Sequence, residues 1–482
     1  MTLNSTQYLL FLPLTVLVYY VTPQKLRWLI ILLASYFFYA CWNIELVFWL
    51  GLITVVSYGA ALMLDKKADR YAKKAIVVIS SAGILAILLA FKYLNFTLEQ
   101  ISALSLAVGA PIQFAKVKWA LPVGISFYTF IALGYLFDVY RGKIAATKHI
   151  GKYASFISFF PHIAQGPIDR ATLLLPQFDE VHKFDYELVK RGLLMILWGA
   201  FKKMVIADRL AMLVDTVFNN VPSYSGQAFW IASIFYTFQI YCDFSGYTDM
   251  AIGSANLMGY HLYPNFNFPY LATSVADFWR RWHISLTSWF RDYVYIPLGG
   301  NRISEGRWVL NVMIVFLISG LWHGASWTFV LWGGIHGLCQ VIGKYKNKIT
   351  DKYFMDKSGI VSPSVRFVNT LVTFFIVNFL WSLFRANSIQ EWQEMFSKLF
   401  VPMKNFDVFK LGMRKEDFIF SVGLLVLLML LEYLHTKMDL YALIQKQALP
   451  VRWTLYMAGV FIVVLFGVYG TLSANSFIYF QF

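Results

Sequence analysis

Apolar residues along this 482-residue chain run in long blocks, with the polar positions gathered in the gaps between them. The early blocks fall near 7–21, 28–41, 46–63, 75–94 and 119–137. Later ones fall near 188–206, 228–242, 308–322, 327–343, 367–384, 418–434 and 453–471. A helix crossing a bilayer needs about 20 predominantly apolar residues, so the pattern predicts an all-α integral membrane protein with roughly 11–13 transmembrane helices. Several blocks are short for a full crossing, and the stretches 153–168 and 244–300 are broken by Gly and Pro. Irregular backbone at membrane depth is tolerated only when it is buried in protein or lines a cavity. Re-entrant segments around an intramembrane tunnel are therefore expected in the middle of the chain. With no fixed-period repeat and no soluble module in view, 1–482 reads as a single multi-pass domain.

The short loops orient the spans. Lys66, Lys67, Arg70, Lys73 and Lys74 form a basic cluster expected on the cytoplasmic side. Lys344, Lys346, Lys348, Lys352 and Lys357 mark a second such loop, and Lys437, Lys446 and Arg452 a third. Counting spans from these loops puts both termini and the loop 385–417 outside. The first apolar block lacks a basic leader and a small-residue cleavage site, so it is expected to be a retained span and not a signal peptide.

Composition narrows the function classes. Charged residues make up 14% of the chain, against about 25% in soluble domains. The net charge of +15 points to basic cytoplasmic loops and not to nucleic acid, because no Lys/Arg-rich soluble module exists to hold one. Cys41, Cys242 and Cys339 lie in or beside apolar runs without C-x-x-C spacing, which leaves neither a disulfide framework nor a zinc pattern.

The candidate chemistry lies in 277–324. His283 and His323 stand 323 − 283 = 40 positions apart, too far for one helix face, so only a folded pocket brings them together. An ionisable residue within the membrane is costly, and its default reading is functional. A neutral imidazole can take a proton from a hydroxyl as that oxygen attacks an acyl carbon. His323 is the candidate base, or equally a histidine satisfied by a neighbouring carbonyl; His283, which alone reads as structural, is through its pairing with His323 a candidate to orient the acyl group. Trp282, Trp322, Arg280 and Arg281 are candidates to line a tunnel or hold the phosphates of a donor. Asp243 and Tyr247, in a run of acids, hydroxyls and aromatics, are further tunnel candidates or members of an interhelical network. His162, His261 and His336 are available to a metal, but no H-E-x-x-H pattern ties them together, and no metal site is expected. The aromatic end 477–482 reads as an interfacial belt, or as a presentation of the Tyr479 hydroxyl toward the chamber.

The run Asp277-Phe278-Trp279-Arg280-Arg281-Trp282-His283-Ile284-Ser285-Leu286 resembles a signature of the membrane-bound O-acyltransferase family. So do Gly320-Leu321-Trp322-His323-Gly324-Ala325, Asp243–Gly253, Pro122–Tyr128 and Phe160-Pro161-His162, with the branch serving bacterial alginate O-acetylation nearest in pattern. The resemblance covers most of the chain. It implies acyl transfer through an intramembrane tunnel, with His323 catalytic and His283 at the second signature position. It further implies cytosolic acetyl-CoA as donor substrate with no bound cofactor, an SGNH-type partner enzyme outside the cell membrane, and an exported polysaccharide as acceptor. In relatives a tyrosine in an aromatic C-terminal motif is a proposed acyl relay, and Tyr479 fits that pattern. Related branches move D-alanine to teichoic acids or acetylate peptidoglycan. A transporter of acyl donor or polymer is the rival from another class; it predicts an internal repeat with matched broken helices.

Overall fold

The computed structural model describes residues 1–67, 69–354 and 362–469, with the backbone alone for 347–354. Tyr479 and the aromatic end lie outside the described residues. Every regular element among those residues is helical. Among the described residues, six helices are long and apolar enough to cross a membrane: Ile44–Lys66, Arg70–Ala107, Glu305–His323, Pro363–Arg385, Lys415–His435 and Leu449–Phe466. Thr6–Val21 and Ile125–Tyr140 are shorter apolar helices. The molecule is thus an all-helical, multi-pass membrane protein. The described chain forms two compact units, Met1–Leu193 with Ala251–Tyr263, and Leu194–Met250 with Pro264–Phe482.

The first unit holds α1 (Thr6–Val21), α2 (Arg27–Ala40), α3 (Val47–Lys66), α4 (Arg70–Ala107), α5 (Ile125–Tyr140), α6 (Ile150–Ser158), α7 (Ala171–Leu174) and the start of α8 (Tyr186–Ala200). Side-chain caps set the helix starts: Ser5 accepts from Tyr8 N at 3.3 Å, and Asp69 accepts from Ala72 N at 2.7 Å. At 1.5 Å per residue α4 is roughly 57 Å long, well beyond the hydrocarbon thickness of about 30 Å. The helix α3 packs against α4, α5 and α6, and Tyr153 donates to Ser57 Oγ at 2.7 Å in the last of these contacts. Between α6 and α7 the chain leaves regular structure, yet residues 159–169 are all buried. Gly124 makes room for this loop. Its φ is +71°, and a Cβ there would lie 2.0 Å from the carbonyl oxygen of Ile163.

In the second unit α8 runs into a π-helical turn over Phe201–Ala207, followed by α9 (Asp208–Phe218) and α10 (Gln227–Asn256), the last residues of α10 belonging to the first unit. Then come α11 (Val275–Arg281), α12 (Ile284–Phe290), a second π turn over Arg291–Tyr295, α13 (Glu305–His323), α14 (Trp327–Phe354) and α15 (Pro363–Arg385). The unit closes with α16 (Ile389–Lys398), α17 (Lys415–His435), α18 (Leu440–Gln445) and α19 (Leu449–Phe466). Its core is aromatic, and Trp282, Trp332 and Trp381 are its largest fully buried side chains. The α13–α14 hairpin is unusually close because Gly320 lacks a side chain. A Cβ there would sit 2.2 Å from the backbone oxygen of Phe329.

Candidate active site

His323 is the last residue of α13, and Gly324 follows it in extended conformation. The imidazole is buried. Aromatic rings surround it: Trp322 at 5.0 Å between centroids, Trp332 at 5.1 Å and Phe384 at 5.3 Å. Trp332 leads on to His336 at 4.8 Å, one helical turn along α14. Trp279 of α11 donates its indole N–H to His336 Nδ1 at 3.3 Å.

His283 links α11 to α12 with φ +45°, a left-handed conformation that is uncommon for a residue with a side chain. Such strain persists only where the surroundings over-determine it, and it clusters at functional sites. Here the surroundings are visible. Ile284 N donates to Asn265 O at 2.9 Å, and Asn267 N donates to Arg281 O at 2.9 Å, which pins both sides of the strained residue. The Asn265 side-chain oxygen accepts from Ser285 N at 3.2 Å, from Ser285 Oγ at 2.8 Å and from His283 Nδ1 at 3.1 Å. An amide oxygen only accepts, so Nδ1 carries the proton and Nε2 becomes the basic nitrogen of the ring. The ring also packs edge-on against Phe244 at 4.7 Å and stands 5.9 Å from Trp322.

The two histidines therefore share one neighbour, Trp322, and belong to one aromatic chamber. Trp282 lies fully buried in its wall, 4.9 Å from Trp381 and 5.0 Å from Phe266. Asp243 and Tyr247 are buried on α10, one helical turn apart, on either side of Phe244 in sequence. The cation that meets Asp243 is Lys203, at 2.6 Å. Arg280 is exposed and Arg281 half-buried; both pair with Asp277, at 3.5 Å and 3.0 Å.

A cavity of about 270 Å³ opens beside this chamber. Trp308, Val312, Val315, Phe316 and Ser319 line it from one face of α13. That face ends four residues later at His323, because positions i and i+4 of a helix lie side by side. Trp279, already bonded to His336, forms part of the opposite wall. Arg291 and Gln340 supply polar groups. Lys344 stands 3.8 Å over the Trp308 ring and pairs with Glu305, the first residue of α13, at 3.6 Å.

Sequence reasoning passed over a second polar cluster. Lys202 and Lys203 lie in the π turn after α8 and are both buried. Lys203 pairs with Asp208 at 2.8 Å as well as with Asp243, and Lys202 pairs with Asp249 at 2.7 Å and donates to Ser245 at 2.9 Å. Two adjacent lysines inside an apolar block were the available signal. π turns recur at functional sites, but sequence does not announce them. No group of three or more metal-binding side chains exists among the described residues.

Residues 132–384 match MBOAT, the membrane-bound O-acyltransferase family. The chain is 37% identical to a probable alginate O-acetylase AlgI of Azotobacter vinelandii over 398 residues, 81% of this chain and 76% of the relative. The corresponding protein of Pseudomonas aeruginosa is 38% identical over 401 residues, covering 81% and 73% of the two chains. A peptidoglycan O-acetyltransferase of Helicobacter pylori is 34% identical over 413 residues, 79% of this chain and 76% of the relative.

Proposed function

The chain belongs to the membrane-bound O-acyltransferase family, and we propose that it moves acetyl groups from cytosolic acetyl-CoA across the membrane to an exported polysaccharide. The observation that carries the reading is the position of His323, buried at the end of the helix face that lines the cavity. The names of the alginate relatives support a polysaccharide acceptor. An extracytoplasmic SGNH-type partner completes the proposed transfer. Both chain termini are read as lying outside, and Tyr479 as a relay for the acyl group.

The proposed step is one acyl transfer. The donor thioester occupies the cavity with its phosphates toward the basic residues, where guanidinium and ammonium groups match phosphate oxygens. His323 takes the proton of the incoming hydroxyl as its oxygen bonds to the acyl carbon. The C–S bond breaks, and the proton passes from His323 to the departing thiolate. His283, protonated at Nδ1, offers Nε2 as an acceptor. The single proton of the reacting hydroxyl goes to His323, so His283, with no proton at Nε2 to give a developing oxyanion, is left to orient the acyl group from the chamber wall.

The test is mass spectrometry of the chain and its partner after incubation with isotopically labelled acetyl-CoA, wild type beside His323→Ala. Label on Tyr479 or on the partner with wild type alone is the expected result. No label and no thioester cleavage with wild type overturns the reading and favours a carrier-protein donor or a transport role. A peptidoglycan acceptor is the second reading, supported by the Helicobacter relative, and acetylated muropeptides would be its product.

A further inference from the structure

The first unit holds a buried histidine–carboxylate pair that the proposed reaction does not use. His162 Nδ1 lies 2.8 Å from Asp169 Oδ2, and both side chains are fully buried. Asp169 is held in turn, because its other oxygen accepts from Tyr263 N at 2.7 Å. A carboxylate facing Nδ1 fixes the proton there, so Nε2 is the acceptor nitrogen of the ring. That Nε2 has no hydrogen-bond partner. Three residues on, Gln165 is fully buried too, and neither its amide nitrogen nor its amide oxygen has a partner. The backbone around them is firmly held. Phe160 N donates to Ser35 Oγ at 3.0 Å, Gly166 N donates to His162 O at 2.8 Å, and the His162 ring packs edge-on against Phe159 at 5.7 Å.

Buried polar atoms in folded proteins are almost always bonded, and an orphan is costly enough to need an explanation. Here three orphan atoms fall within four residues of one non-helical loop, and such backbone at membrane depth is tolerated only where it is buried in protein or lines a cavity. Their chemistry is complementary to one kind of group. His162 Nε2 needs a donated proton, and the Gln165 amide can both donate and accept. A hydroxyl supplies a proton and accepts one; an ionised carboxylate or a fully ionised phosphate has no proton to donate to Nε2. We infer that the His162–Gln165–Asp169 loop is a second hydroxyl-binding site, for the hydroxyl of a sugar-type alcohol or of water. The sugar source rests on the acetyl-transfer reading above; the site itself does not.

The test uses the full chain in lipid nanodiscs. Protein labelled with ¹⁵N-histidine is titrated with a methyl glycoside, and the His162 signal is identified by its loss in His162→Gln. Gln165→Met keeps the side-chain length and removes both amide atoms, so its thermal midpoint is expected to hold or rise; Asp169→Asn, which frees the imidazole tautomer, is the second variant. With a sugar hydroxyl in the site, the His162 signal moves on titration of wild type and not of Gln165→Met. The glycoside KM in acetyl transfer then rises about tenfold, the scale of one lost hydrogen bond, while thioester hydrolysis is unchanged. With water in the site, hydrolysis falls about tenfold and the glycoside KM holds. An unmoved His162 signal, with both rates within twofold of wild type in both variants, overturns the inference. If wild type cleaves no acetyl-CoA at all, the acetyl-transfer reading fails and the resonance alone decides the site.

Discussion

His283 stands 5.9 Å from Trp322, the residue directly before His323, so 40 positions of sequence close into one chamber through a single indole. This relationship makes the two histidines separable by mutation. His323→Ala is expected to remove the general base and lower acetyl transfer by about 10²- to 10⁴-fold. The protein should still insert and elute as wild type, because a smaller side chain at the end of α13 leaves no charge stranded. Transfer at the wild-type rate would sink the base assignment; labelled acetyl-CoA turnover measures it.

Asn265→Leu addresses the other histidine without touching it. The Asn265 oxygen collects His283 Nδ1, Ser285 N and Ser285 Oγ, and the leucine leaves all three without that acceptor. Orphaned buried donors cost about 1–3 kcal/mol each, so a clear drop in thermal midpoint is expected. Transfer should fall further than stability alone accounts for, because the ring loses its tautomer and its strained φ loses support. Asn265→Asp keeps the acceptor and is expected to recover most of the activity. Equal activity in Asn265→Leu and wild type would show that His283 needs no fixed orientation.

Much of this architecture was open to reading from sequence, and the reason is the length of the apolar blocks. The blocks at 308–322, 367–384, 418–434 and 453–471 correspond to α13, α15, α17 and α19, where lipid-facing composition alone specifies a helix. His283 and His323 were legible because an imidazole among tryptophans stands out against such a background. Asn265 was not, since an asparagine in a Pro-rich loop reads as a turn residue until its partners are known. Lys202 and Lys203 were hidden for the opposite reason: the apolar block 188–206 continues through them. The carboxylates of Asp208, five positions on, and of Asp243 and Asp249, brought in from α10, explain how two ammonium groups can be buried there.

That cluster yields a stability prediction. Lys203 lies between Asp208 and Asp243, and Lys203→Met takes the shared cation away from two buried carboxylates. Breaking a buried ion pair from one side typically costs about 3–5 kcal/mol. Poor yield and a strongly lowered thermal midpoint are expected. The triple change Lys203→Met with Asp208→Asn and Asp243→Asn should recover much of the loss, since no uncompensated charge remains. If the single variant melts with wild type, the ammonium contributes nothing to the fold.

The cavity along α13 gives the sharpest test of where the donor lies. Val315 and Ser319 line it on the face that ends at His323, whereas Ile318 is partly exposed on another face of the same helix. Val315→Trp fills part of a space of about 270 Å³ without adding charge. If acetyl-CoA reaches His323 through this space, Val315→Trp raises the donor KM at least tenfold, while Ile318→Trp leaves it near wild type. Overpacking can also strain the α13–α14 hairpin and displace His323, which would lower kcat for any donor. The two effects part on a second thioester: an acetyl donor truncated to its pantetheine arm needs less room. With such a donor, a blocked entry predicts partial recovery in Val315→Trp, and a displaced base predicts none. Equal donor KM in Val315→Trp and wild type would move the donor path away from α13 altogether.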